Sequence, residues 1–187
     1  VELWDARAHT RLGSMETGHA VGYMTFSPDG ATLALSGGRG GGARLWDIRS
    51  RQPVAHLLGQ APSVRCIAFS PDGNTLAIGG HDEAVWLWDV SARREVASLH
   101  GHSHDITSVA FSLDGNTLAS GSGDTTVKLW HVPTRQEITT IQGHSRAVRS
   151  LAFSPDGSML ASASGVPGPI RLWSVPAGER IGTLGGN

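Results

Sequence analysis

Three histidines alternate through His100, His102 and His104 and stand beside Asp105. Imidazole nitrogens with a carboxylate are donors that zinc or nickel accept, provided they converge on one point. Positions two apart share a face only where the chain is extended, so this stretch offers a metal site only if it runs as a strand. Gly38-Arg39-Gly40 followed by Gly41-Gly42-Ala43 superficially fits a dinucleotide fingerprint. It leads into strand rather than helix, and without a helix N-terminus there is no cradle for a phosphate. The chain has no H-E-x-x-H, C-x-x-C, G-x-S-x-G or phosphate-loop motif, and its single cysteine, Cys66, excludes an internal disulfide. The expectation is no cofactor, no metal and no catalytic residue.

Composition narrows the class of molecule that must position any site. The 187 residues are 39% hydrophobic and 17% charged, ordinary values for a chain that packs a core. Twenty-five glycines and nine prolines exceed what a helical protein of this length tolerates, and both residues serve tight turns. Many short strands are expected. A net charge of -1 exerts no overall pull on phosphate backbones or anionic lipid, which disfavours nucleic acid and membrane as partners. Of fifteen basic residues only Lys128 is a lysine. No apolar run is long enough to cross a bilayer, and Val1 to Asp5 lacks the layout of a signal peptide, so a cytoplasmic site is the default expectation.

An internal period organises the chain. Trp4, Trp46, Trp88, Trp130 and Trp173 follow one another at 42, 42, 42 and 43 residues, closing VELWD, ARLWD, VWLWD, VKLWH and IRLWS. Phe26, Phe69, Phe111 and Phe153 keep the same step, each leading into SPDG or, at 112–115, SLDG. Gly18-His19, Gly59-Gln60, Gly101-His102 and Gly143-His144 form a third series. The third unit reads as four strands: Ile106 to Phe111, Thr117 to Ser120, Val127 to Trp130 and Gln136 to Ile141. In SPDG, proline presets φ for a type I turn and aspartate and glycine suit the next two places; Leu113 loses only the presetting.

The Gly-His opening, the SPDG hairpin, the aspartate before the third strand and the closing Trp-Asp resemble the WD-repeat proteins over essentially the whole chain. The resemblance implies an all-β propeller of four-stranded blades round a channel. Residues 19-58, 59-100, 101-142 and 143-187 correspond to four complete blades, and 1-18 to a half-blade of third and fourth strands. Asn187 falls where the next histidine would stand. The expectation is a segment of a larger propeller, seven blades being common in the family; closure by self-association is the alternative.

In that family a hydrogen-bonded set joins the loop histidine, a second-strand serine or threonine, the corner aspartate and the third-strand tryptophan. The third unit matches throughout, with His102, Ser120, Asp124 and Trp130. The same types make a Ser-His-Asp catalytic set, but a nucleophile needs an exposed oxygen and an oxyanion site, and the structural reading is preferred. The second unit keeps Asp82 and Trp88 but has Gln60 and Ile78, so its network is expected not to close. The first keeps His19 and Trp46, has Leu35 at the serine position and lacks the corner aspartate. The fourth keeps His144, Ser162 and Trp173 and replaces the corner with Gly165-Val166-Pro167-Gly168-Pro169.

The resemblance further implies that partners use the face built by the loops before the first strand and between the second and third. Ser63, Arg65, Asp105, Thr107, Ala147 and Arg149 align with that rim, with Ala20 and Gly22 on a shortened loop; ordinary solvated loop ends are the alternative. The divergent loops Gly37 to Gly42 and Gly165 to Pro169 are either recognition elements or tolerated variation. Trp86 replaces the charged groups found at Glu2, Arg44, Lys128 and Arg171, marking a side-surface contact or packing beside Trp88. The expected function is a non-catalytic scaffold for other proteins or peptides. A regulatory or sensing module of a larger signalling enzyme and a nucleic-acid or modified-peptide reader are the alternatives.

Overall fold

The computed structural model describes residues 1–18, 20–37, 42–57, 63–165 and 168–185, and every regular element among them is a strand. His19, residues 38–41, Gly59, Gln60, residues 166–167 and Asn187 lie outside the described residues. Strands β1 (Glu2–Asp5) and β2 (Thr10–Ser14) form a two-stranded sheet. Four antiparallel meanders of four strands follow. The first contains β3 (Val21–Phe26), β4 (Thr32–Gly37), β5 (Ala43–Asp47) and β6 (Gln52–Leu57); the second β7 (Val64–Phe69), β8 (Thr75–Gly80), β9 (Ala84–Asp89) and β10 (Arg94–His100). The third contains β11 (Ile106–Phe111), β12 (Thr117–Ser122), β13 (Val127–His131) and β14 (Gln136–Ile141); the fourth β15 (Val148–Phe153), β16 (Met159–Ser164), β17 (Ile170–Ser174) and β18 (Arg180–Leu184). Two strands of the third meander have the bounds expected from sequence, whereas β12 runs two residues past Ser120 and β13 one past Trp130. This all-β arrangement of stacked four-stranded meanders is the one that the sequence resemblance implies.

Local chemistry explains the hairpins. At 112–115 the Gly115 amide donates to the Ser112 carbonyl at 2.9 Å, and Gly115 takes φ 73°, a left-handed value that glycine adopts without steric cost. Ser112 adds what the turn motif did not announce. Its buried Oγ accepts the Thr117 amide at 3.0 Å and donates to Asp114 at 2.6 Å, tying both strands to the turn. Leu113 leaves this geometry unchanged relative to the proline-bearing turns, where Gly30, Gly73 and Gly157 donate to Ser27, Ser70 and Ser154 at the same 2.9 Å.

The meanders stack face to face, and the core lies in the junctions between them. Leu3 and Met15 of the two-stranded sheet meet Leu33, Leu35 and Trp46. Ala34, Leu45 and Leu57 on the opposite face of that meander meet Val64, Leu76 and Ile78. Cys66, Val85, Leu87 and Leu99 then meet Ile106, Leu118 and Trp130, and Val127, Leu129 and Ile141 meet Val148, Leu151, Leu160 and Trp173. The faces that meet are apolar, and because side chains alternate across a strand a sheet covered on both sides is apolar on both. Burying one such leucine contributes about 1.5–3 kcal/mol. At the two ends the equivalent faces have no described sheet against them. Trp4 is 57% exposed at one, and Ile170 and Leu184 are 41% and 52% exposed at the other.

Junction spacing is set by small residues. A Cβ on Gly121 would lie 2.6 Å from Val148 Cγ1, and one on Gly79 would lie 2.5 Å from Ile106 Cγ2. Ala163 holds the same place in the last meander, whose next face is uncovered. Gly121→Ala is expected to cost about 1–3 kcal/mol through overpacking. Gly165→Ala enters open space and stays within about 0.5 kcal/mol. Urea denaturation of the two variants measures the difference; equal midpoints contradict the packing.

Candidate functional site

A meander of this kind puts its first and third turns at one edge and the second turn and inter-sheet loop at the other. His102, in the inter-sheet loop, and Asp124, in the second turn of the third meander, therefore share an edge. His102 Nδ1 lies 2.7 Å from Asp124 Oδ2, and Nε2 lies 2.8 Å from Ser120 Oγ, which also receives the Trp130 indole at 2.8 Å. The polarity of this chain follows from its end members. Indole only donates and an ionised carboxylate only accepts. Ser120 therefore accepts from Trp130 and donates to Nε2, leaving the imidazole proton on Nδ1 for Asp124. Ser120 is fully buried, out of reach of any substrate carbonyl.

Asp124 is held from several directions. Thr126 donates through its amide at 2.8 Å and its hydroxyl at 2.7 Å, and the Ser103 amide donates at 3.1 Å. Burial alone would raise this carboxyl, but the bonds from Thr126, His102 and Ser103 outweigh it and lower the pKa from 3.8 to about 2. Burial lowers the His102 pKa from 6.5, and the bond and charge of Asp124 oppose that shift only in part. Lys128 sits beneath the set, bonded to Glu137 at 2.8 Å and Thr140 at 2.6 Å, with Nζ 5.9 Å from the centre of the Trp130 ring.

The other corners differ. In the second meander Asp82 accepts the Trp86 indole rather than completing a set with Trp88, whose buried Nε1 has no partner among the described residues, the apolar Ile78 standing at the serine place. The sequence reading kept Asp82 and Trp88 as parts of a set that does not close, and gave Trp86 a side-surface contact or packing beside Trp88. The structure instead pairs Asp82 with Trp86, which also packs edge-on to His100 at 6.4 Å. Trp46 Nε1 likewise has no partner among the described residues, Leu35 standing at the serine place. In the fourth meander His144 Nε2 and Trp173 Nε1 meet Ser162 Oγ at 2.6 and 2.7 Å, but His144 Nδ1 has no partner among the described residues.

Of the residues aligned with the rim, Arg65 and Asp105 are brought together across the junction between the second and third meanders. Arg65 Nη2 lies 3.5 Å from Asp105 Oδ2, and His81 Nδ1 lies 2.9 Å from the same oxygen. Arg65 Nε donates to His81 Nε2 at 3.1 Å, which fixes the His81 proton on Nδ1. His81 was missed in the sequence; its only signal is that it precedes a corner aspartate where Gly123 stands in the next unit. Thr107 is committed to the fold, its hydroxyl reaching the carbonyls of Gly121 at 3.0 Å and of Val148 across the junction. Ser63 and Ala147 are half-buried loop ends and Arg149 is exposed. His100 bonds Ser98, and His104 Nδ1 is 3.7 Å from Asp105; among the described residues no three His, Cys, Asp or Glu side chains are placed to hold a metal ion. Burial pushes the Cys66 thiol up to about 12, so it is neither a nucleophile nor a ready ligand.

Comparison with known proteins decides the family. The model of the "WD domain, G-beta repeat" matches residues 10–47, 51–89, 93–131 and 135–168. The chain belongs to the WD-repeat family. Its WD repeats are 32% identical over 88 residues to "WD repeat and SOCS box-containing protein 1" of Xenopus tropicalis, covering 46% of this chain and 21% of that protein. They are 32% identical over 84 residues to human "Echinoderm microtubule-associated protein-like 3", covering 45% and 9%, and 33% identical over 87 residues to human "Apoptotic protease-activating factor 1", covering 44% and 7%. The match thus spans about a fifth or less of these relatives' length. No helix among the described residues is long and apolar enough to cross a membrane.

The buried imidazoles of the third and fourth WD repeats make stability depend on pH. Burial lowers the pKa of both His102 and His144 from 6.5, and the charge of Arg171 lowers His144 further. As pH falls through 6.5 the unfolded chain binds these protons before the folded one, so stability declines. Asp124 adds a second loss, from 3.8 down to about 2, where the unfolded carboxyl is protonated first. The urea midpoint is expected to fall from about pH 7.5 to about pH 5.5, and His144→Asn to reduce that fall. A midpoint that rises on acidification contradicts the assignment.

Proposed function

We propose that this chain is a non-catalytic scaffold that holds other proteins or peptides on the loop-bearing face of its WD repeats. The observation that carries the reading is the Arg65–His81–Asp105 cluster. It is assembled from two blades, stands at the ends of rigid strands, and leaves Arg65 and His81 side chains 34% and 39% exposed. An arginine already oriented by a neighbouring carboxylate loses little rotamer freedom when it grips a partner's acidic or aromatic group. Arg149, at the equivalent strand position two blades on, supplies a second exposed guanidinium on the same face. Such a surface displays groups to a partner and offers no nucleophile. The names of the relatives, with their SOCS box and microtubule association, are consistent with multi-protein settings.

The uncovered apolar faces at Trp4 and Ile170 fit further sheets of the same kind, supplied by a longer polypeptide or by a second copy. Either arrangement leaves the loop-bearing face open. A cytoplasmic site is part of the same proposal.

Capture from cell lysate by the wild-type protein, compared with the Arg65→Ala, Arg149→Ala double variant, tests the rim. The expected result is loss of the captured proteins from the double variant and retention by Arg93→Ala, Arg135→Ala, which alters two turns on the opposite face. Undiminished capture by the rim variant overturns the assignment.

A further inference from the structure

The edge opposite the loop-bearing face carries the first and third turns of each blade, and its apolar groups gather round Leu113. This leucine is 66% exposed, and its turn closes equally well with the proline of the sister turns. At the two earlier junctions the proline of one first turn lies against the glycine of the next. A Cβ on Gly73 would stand 3.5 Å from Pro28 Cδ, and one on Gly115 3.6 Å from Pro71 Cδ. Leu113 leaves that place unfilled, since a Cβ on Gly157 would meet nothing within 4 Å among the described residues. The third turns add to the same surface. Pro133 and Pro176 stand where the first two blades have Arg49 and Ser91.

Two open grooves flank Leu113. The one toward the second blade, of about 470 Å³, is bounded by Pro71, Val132 and Pro133; the one toward the fourth, of about 460 Å³, by Pro155, Val175 and Pro176. Every charged residue lining them is an aspartate, Asp72 and Asp114 in the first and Asp114 and Asp156 in the second. Arg93 and Arg135, on third turns of the same edge, line neither. A bond from a serine hydroxyl, then one from a backbone amide, hold all three carboxyls below the ordinary 3.8, so each is ionised at neutral pH. None of them takes part in an ion pair among the described residues. Asp114 Oδ1 accepts the Ser112 hydroxyl and the Asn116 amide, whereas Oδ2 accepts a single described donor, the Asn116 side chain, at 3.1 Å. Asp156 Oδ2 likewise accepts the Ser158 hydroxyl at 2.9 Å. A carboxylate offers about four acceptor positions, so each retains one for a donor from outside.

We propose that these paired grooves are a second docking site, which takes an extended basic segment of a partner protein. Apolar side chains of the segment seat in the two grooves on either side of Leu113, and lysine or arginine side chains between them bond the free acceptor positions of Asp72, Asp114 and Asp156. Charge decides the occupant. An apolar hollow whose only charges are unpaired carboxylates repels an acidic segment, and a purely apolar one would desolvate those carboxylates with nothing in return. This site goes beyond the rim centred on Arg65, which lies at the opposite edge of the blades, and does not depend on it.

The test follows backbone amide resonances of ¹⁵N-labelled protein at physiological salt. The probe is a capped peptide in which lysine and leucine alternate at every second position with glycine between them, because residues two apart share a face of an extended chain. One control peptide replaces leucine by serine, and another replaces lysine by glutamate. The expected result is saturable movement of the Leu113, Gly115 and Gly157 amides with the lysine–leucine peptide, about tenfold tighter than with either control, and none at Arg65 or Arg149. Leu113→Pro gives this turn the residue of its sisters, so the urea midpoint is expected to hold or rise while binding weakens about tenfold. Asp114→Asn keeps an acceptor for Ser112 and is expected to weaken binding by a comparable factor. Undiminished binding by Leu113→Pro, or no saturable movement in the parent, overturns the site. Equal binding of the serine peptide overturns the apolar grooves as the contact, and equal binding of the glutamate peptide overturns the basic partner. Calcium chloride that moves the same amides and displaces the peptide overturns the peptide as occupant. The Arg65→Ala, Arg149→Ala variant is expected to bind the probe as the parent does, which separates a failure here from a failure of the rim reading.

Discussion

A four-stranded sheet that is apolar on both faces has to be sandwiched, and this requirement governs the rest of the molecule. Every complete junction here repeats one arrangement: two residues of a third strand and one of a fourth from one blade meet the first, second and third strands of the next. Val85, Leu87 and Leu99 do so against Ile106, Leu118 and Trp130, and Val127, Leu129 and Ile141 against Val148, Leu160 and Trp173. The near-constant repeat of about 42 residues follows, since each blade must present the same pair of faces to its neighbours. Gly79 and Gly121 follow too, because the inner strand of the next blade lies against their α-carbons.

The donor chain from Trp130 through Ser120 and His102 to Asp124 is subordinate to that packing. It joins an inter-sheet loop to the second turn of its own blade and leaves no buried polar atom unpaired along its length, which makes a polar interior affordable. Its partial versions show the dependence on each member. With Ile78 in place of serine, Trp88 loses its acceptor and Asp82 is taken by Trp86. With the acid absent from the last corner, the inner half at Ser162 persists and the outer half leaves a proton donor unspent. Variation at the corners therefore alters the loop-bearing face without disturbing the sheets beneath.

Much of this was legible in the residues. The tryptophan and phenylalanine periods carried the strand count, and β-favouring runs between turn residues located β11 and β14 at their observed bounds. Leu113 in place of proline was correctly harmless, since the Ser112 hydroxyl and the bond from the Gly115 amide to the Ser112 carbonyl hold the turn. Contacts made by residues without a repeat signature were not legible. Nothing in the order His81-Asp82 says that an imidazole reaches across a junction to Asp105, because that depends on how two sheets face each other. Thr107 aligned with the rim by number, yet its hydroxyl bridges two carbonyls. Asp82 matched the corner motif, and only the three-dimensional reach of Trp86 decided its partner.

The central claim is that stability resides in sheets covered on both sides and declines toward those covered on one. Native-state hydrogen exchange measures this directly, because slow amides report the most protected cooperative units. The account predicts the slowest exchange in β12 and β13, whose Leu118, Ala119, Val127 and Leu129 are fully buried, and the fastest in β1, β2 and β18. Equal protection across all the sheets, or greatest protection in the terminal strands, would contradict it.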